Sequence, residues 1–208
     1  MGDLVEQGPA ITALYGECCS LAAERTLRLL AVRCHRASAA GLARALGFPD
    51  EAGVTLHRTG ALSCARLGPA EWLLAGDEAC LHTAERGLCD AVDTHTILVT
   101  RPSDGSTILR LGGSRLGEWL AAYCAADLRP VTEKHAAMRV LFADVPVVLM
   151  TAGGDDEGGT ARSALLIVED CWAAYVARLL HLAAQSSNNP ESRVRPPVSQ
   201  KEMNDGCR

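Results

Sequence analysis

The sequence predicts an α+β fold: two small lobes of antiparallel sheet with packed helices. Three observations predict it. The run from Ser103 to Leu128 passes from a turn (Ser103 to Ser106) through a β-rich segment (Thr107 to Leu111) and a Gly112-Gly113 break into a helix. That helix carries Leu116, Trp119, Leu120 and Tyr123 on one face. The order strand, helix, strands, helix in the first half of the chain recurs loosely in the second. Finally, the segment opening at Glu169-Asp170 places Trp172, Tyr175, Val176, Leu179 and Leu180 on one face, the clearest amphipathic pattern in the chain.

Each element follows from its local pattern. Residues 1–24 have no sustained period, with Gly8-Pro9 and Cys18-Cys19 interrupting it, and are expected to form an irregular arm with at most one helical turn, ordered by a partner. Leu27 to Cys34 is apolar and β-compatible, the first strand. Apolar residues at 39, 42, 43 and 46 give a helix that stops at Gly47, with Pro49 just beyond. Two short β-prone pieces flank Thr59-Gly60, and the second runs to the Gly68-Pro69 turn. Trp72 to Leu74 closes a hairpin with it.

Helical spacing returns from Glu78 to Val92 through Leu81, Ala84 and Leu88. In the second half, Thr96 to Thr100 is expected to pair with Thr107 to Leu111 around the Arg101 to Ser106 turn, and Ser114 to cap the helix that follows. Met138 to Phe142 and Val145 to Met150 form a hairpin on Ala143-Asp144, which lacks the favoured glycine. A Gly-rich acidic loop (Gly153 to Gly159), the strand Ala164 to Val168 and the last helix complete the fold. The polar, proline-bearing stretch 185–208 is expected to be a disordered tail. The units are therefore an arm (1–24), an N-terminal α+β lobe (25–93), a C-terminal α+β lobe (94–184) and a tail (185–208).

Bulk properties exclude several classes. A chain of 208 residues with 48% hydrophobic content supports a sizeable core, and with 4% aromatics that core is built of Leu, Val and Ala. A net charge of -5 with no basic stripe argues against nucleic acid. No apolar stretch has the roughly 20 residues of a membrane helix, and the first residues do not read as a secretory signal. Nine cysteines without a repeated spacing read as reduced, mostly buried thiols, which places the chain in the cytoplasm.

Motifs for chemistry are tested by spacing. Around Ser114 a hydrolase elbow needs a second glycine where Leu116 stands, and a phosphate loop needs a lysine that is absent. Cys34-His35 and Cys80 with His82 do not have zinc-ligand separations. His57, His95 and His135 read as solvated, Asp155-Asp156-Glu157 as a surface turn, and Trp72, Trp119 and Trp172 as core. No catalytic, cofactor-binding or metal-binding residue is assigned. A chain with a good core and no site reads as a subunit.

Four segments carry a family resemblance: Leu67-Gly68-Pro69-Ala70-Glu71-Trp72-Leu73-Leu74, Ser103-Asp104-Gly105, Leu109-Arg110-Leu111-Gly112-Gly113, and Cys124-Ala125-Ala126-Asp127-Leu128. In this order they resemble the gamma subunit of heterotetrameric sarcosine oxidase, over a region from Leu27 to Ala184. Arg101 stands where that family's pattern has an aspartate, and Ala126 where it has a leucine. The resemblance implies a fold similar to the folate-binding domains of aminomethyltransferases. It also implies an assembly with alpha, beta and delta subunits that converts sarcosine to glycine. In that assembly FAD, FMN, NAD, tetrahydrofolate and zinc reside in the partner chains, and the gamma subunit holds none. The expectation is a non-catalytic gamma subunit giving interface and structural support. The alternatives are a stand-alone folate-binding protein of one-carbon metabolism and an interaction domain with neither role.

Overall fold

The computed structural model describes residues 14–15, 19–48, 56–91, 96–129, 136–151 and 163–188. Among them are eleven strands in two antiparallel sheets and four α-helices, an α+β architecture. The strands are β1 (Leu14–Tyr15), β2 (Ser20–Glu24), β3 (Arg28–Cys34), β4 (Leu56–Thr59), β5 (Leu62–Gly68), β6 (Glu71–Gly76), β7 (Ile97–Thr100), β8 (Ser106–Gly112), β9 (Ala137–Phe142), β10 (Val145–Thr151) and β11 (Ser163–Glu169). The helices are α1 (Ala39–Ala45), α2 (Glu78–Ala91), α3 (Leu116–Ala121) and α4 (Asp170–Asn188).

One sheet has the order β1-β2-β8-β11-β10-β9 and the other β4-β5-β6-β3-β7. The sheets lie face to face. Leu29, Leu73 and Ala75 of one meet Ile108, Met150 and Leu165 of the other in a shared inner core. Alternate residues of the same strands point outward. Leu30, Val32, Trp72 and Leu74 pack against Leu42 of α1 and Leu81 and Leu88 of α2. Val147, Leu149, Leu166 and Val168 pack against α3 and α4. The central strands are thus buried on both faces, which is why they read as apolar runs such as ALLIV (164–168) rather than as alternation.

Turn chemistry fixes the hairpins. Thr59 pairs with Leu62 around Gly60, whose φ of 58° is the left-handed conformation that glycine adopts without a Cβ clash. Helix α1 ends where Gly47 predicts: Phe48 N–H donates to Ala43 O and Gly47 N–H to Arg44 O, a Schellman cap with Gly47 at φ 75°. Ala143 and Asp144 form the expected two-residue turn, Val145 pairing with Phe142, and both take positive φ (46° and 67°) without glycine's freedom.

Five expectations are corrected. Residues 20–24, assigned to an irregular arm, form β2 and pair with β8, Leu21 opposite Leu111. β7 and β8 are not hairpin partners: β7 pairs with β3, β8 pairs with β2 and β11, and the Pro102–Gly105 3-10 turn carries the chain from one sheet to the other. The Ser103 hydroxyl anchors that crossing, accepting from Leu29 N–H at 2.6 Å and reaching Leu29 O at 3.3 Å. Ser114 does not cap α3. A tight turn, Leu116 N–H to Gly113 O, puts Arg115 at the cap position, where its guanidinium pairs with Glu118.

The fourth correction concerns α4. Its buried face is Ala173, Val176, Ala177, Leu180 and Ala184, while Trp172 and Tyr175 are each 46% exposed. Small alanines let the helix sit close to its sheet, which leaves the bulky aromatics on the outer side, in edge contact with each other at 6.3 Å. The fifth concerns residues 185–188, which were assigned to the tail and continue α4. The rest of the expected tail, the Gly153 to Gly159 loop, residues 1–13 and His95 and His135 lie outside the described residues.

Candidate functional site

The candidate centres from the sequence are placed apart. Cys34 ends β3, and the Nδ1 of His35 accepts from Ala37 N–H at 3.4 Å, a local turn contact. Cys80 and His82 lie in the first turns of α2, where the Asp77 carboxylate accepts from Cys80 N–H at 2.7 Å as a helix cap. Trp119 is core, its Nε1 donating to Leu180 O at 2.8 Å and so fastening α3 to α4. Trp72 is fully buried with the Arg66 guanidinium 5.8 Å from its ring centroid. Its Nε1 has no hydrogen-bond partner among the described residues.

One Cys and His pair does meet in register: His57 of β4 stands opposite Cys64 of β5. Burial pushes the Cys64 thiol strongly up, and His57 Nε2 is engaged with Thr59 Oγ1 at 3.2 Å and stacks near Phe48. A protonated, enclosed thiol is a poor nucleophile. Among the described residues no group of three or more His, Cys, Asp or Glu side chains could hold a metal ion, and no helix is long and apolar enough to cross a membrane.

Among the described residues, a cleft of about 720 Å³ is lined by strands of both sheets. Its floor is apolar, from Leu29, Ala31 and Leu73 on one side and Val148 and Ile167 on the other. At its mouth the Glu71 carboxylate of β6 joins the sheets. It accepts from Arg33 Nε and Nη2 at 3.1 and 2.9 Å and from Arg139 Nη1 and Nη2 at 3.0 and 2.6 Å. Burial alone would raise the Glu71 carboxyl, but the hydrogen bonds and charges of Arg139 and Arg33 outweigh it and hold the group below its ordinary range. The rim carries two exposed leucines, Leu98 (58%) of β7 and Leu141 (57%) of β9.

Sequence reasoning passed over Arg33, Glu71 and Arg139. The signal was present: Arg33 and Arg139 are charged residues inside strands with apolar neighbours and Glu71 opens such a strand, and a charged residue on an inner face needs a partner. This arrangement has no nucleophile with an adjacent base. It combines an apolar trough, a fixed ion cluster and exposed aliphatic lips, which suits recognition of another molecule.

Comparison with known proteins agrees with this architecture. No curated protein sequence matches the chain. Among solved structures, the chain is similar to heterotetrameric sarcosine oxidase from Corynebacterium sp. U-96 in complex with pyrrole 2-carboxylate. The TM-score is 0.65 at 23% identity, covering 89% of this chain and 91% of that one. It is also similar in fold to glycine cleavage system aminomethyltransferase T from Bartonella henselae, with a TM-score of 0.51 at 14% identity, covering 80% of this chain and 49% of that one. The family model of the sarcosine oxidase gamma subunit matches residues 32–184, which include Arg33, Glu71, Arg139 and most of the cleft. The chain belongs to the sarcosine oxidase, gamma subunit family.

Proposed function

We propose that this chain works as a non-catalytic gamma subunit of a sarcosine oxidase type assembly, in which alpha, beta and delta chains are its partners. The assembly oxidatively demethylates sarcosine to glycine, and the flavins, NAD, tetrahydrofolate and zinc are held in those partner chains. The family match over residues 32–184 carries this reading. The interior is consistent with it, because the three apolar cores are filled mainly by aliphatic and aromatic side chains, and their cysteines Cys19, Cys64 and Cys124 are buried. What the chain offers outward is contact surface: the aromatic face of α4 at Trp172 and Tyr175, and the cleft lips at Leu98 and Leu141. Large apolar groups clustered at the surface mark association sites.

Co-expression with the alpha, beta and delta chains of a sarcosine oxidase tests the proposal. A stoichiometric complex that oxidises sarcosine, and loses assembly or stability when this chain is omitted, is the expected outcome. Recovery of the chain alone under mild conditions, or saturable tetrahydrofolate binding by the isolated chain, overturns it.

A further inference from the structure

We infer that the cleft between the sheets is the docking site for an extended segment of a partner subunit, which adds as a strand to the free edge of β7 and brings a carboxylate to the Arg33–Glu71–Arg139 cluster. This rests on the subunit reading above and names its contact surface. Three observations carry it.

The first is the open edge. β7 is the last strand of the five-stranded sheet, paired on one side only among the described residues. Hydrogen-bonded pairs alternate along an antiparallel ladder. His35 N–H donates to Thr96 O, so in this register Arg33 with Leu98 and Ala31 with Thr100 are the bonded pairs. Ile97 and Val99 therefore turn their N–H and C=O groups outward, with no partner strand among the described residues. An exposed apolar edge of this kind is a template for strand addition.

The second is the side-chain pattern beside that edge. Leu98 lines the cleft, and Leu141, from the terminal strand of the other sheet, lines the opposite lip. Alternate side chains of an added strand would project to the same side as Leu98, over the apolar floor. The third is charge. Two guanidinium groups share the single Glu71 carboxylate, and both are more than half exposed (62% for Arg33 and 52% for Arg139), so this cluster carries a local positive charge in excess, which Glu169 balances elsewhere in the lining. Glu169, the other charged group of the lining, has no ion pair among the described residues. The segment that fits is extended, apolar at alternate positions, acidic where it meets the arginines and basic where it meets Glu169.

Hydrogen exchange of the amides of Ile97 and Val99, measured in the free chain and in the co-expressed assembly, tests this directly. Slowing by at least ten-fold on assembly is expected, with Leu98→Asp weakening association at least ten-fold at unchanged melting temperature. Should that variant fold poorly, Leu141→Asp on the opposite lip supplies the same test. An assembly in which these amides exchange at the free-chain rate overturns the docking site while leaving the subunit role standing, as does one that tolerates the folded lip variants. Failure of the wild-type chain to assemble at all refutes the subunit role itself and the docking site with it.

Discussion

Replacing Glu71 with Gln removes the charge that links the two sheets while keeping the shape of the side chain. The carboxylate is 19% exposed and receives four N–H contacts from two arginines. Both arginines are more than half exposed, so once released they hydrate freely and no buried cation is stranded. The loss is therefore that of two screened ion pairs, about 0.2 to 1 kcal/mol each, raised somewhat because the shared carboxylate is partly buried. We expect Glu71→Gln to destabilise by about 1 to 2 kcal/mol, a fall in Tm of about 2 to 8 °C for a chain of this size.

Urea unfolding of wild type, Glu71→Gln, Arg139→Gln and the double variant measures it, with a coupling energy above about 0.5 kcal/mol expected for the pair. The effect should shrink in 1 M salt, where the screening length is about 3 Å. Its pH dependence has a definite sign. The folded carboxyl titrates below its ordinary value of 4.5, so its contribution is complete above that pH and is lost as pH falls through the lowered value. Equal stability of wild type and Glu71→Gln at pH 7 and low salt, or a difference that grows on acidification, would refute the reasoning.

Three further outcomes follow from the packing. Trp119→Phe should cost about 1 to 3 kcal/mol in urea unfolding, because it deletes both buried volume and the indole bond to Leu180 O. Asp144→Gly should raise stability by about 0.5 to 1 kcal/mol, since φ of 67° strains any residue with a Cβ and the type I′ turn favours glycine there; a lower Tm would count against it. Among the described cysteines, exposed Cys89 and Cys171 should be alkylated in the native protein. Buried Cys19, Cys64 and Cys124, the last with its thiol pushed up to about 11, should react only on unfolding, as peptide mass spectrometry would show.

The central strands were legible because they are buried on both faces and read as unbroken apolar runs, whereas β2, with one buried residue, was not. The hairpins were legible because Gly60 and Pro69 punctuate them. Strand partnership was not legible at residues 101–106: Pro-Ser-Asp-Gly suits a hairpin loop and a crossing between sheets equally, and only the packing of the whole sandwich chooses. Bulk is a poor guide to the buried face of α4, because alanines at 173, 177 and 184 bring the helix onto its sheet and leave Trp172 and Tyr175 outside. The ion cluster was hidden for a different reason. Arg33 and Glu71 are cross-strand partners far apart in the chain, and Arg139 joins them only through the stacking of the two sheets, which no local spacing encodes. Their one trace was a charge set among aliphatic neighbours.

Pairing Leu21 with Leu111 makes the head of the chain wait. During synthesis β2 emerges ninety residues before the strand it must join, and β8 in turn lies at the centre of a sheet completed only when β11 leaves the ribosome. Long-range closure of this kind slows folding and prolongs the time that unpaired backbone is open to wrong neighbours. A nascent chain built this way benefits from a holding chaperone, and its soluble yield should rise when translation is slowed or the culture is cooled.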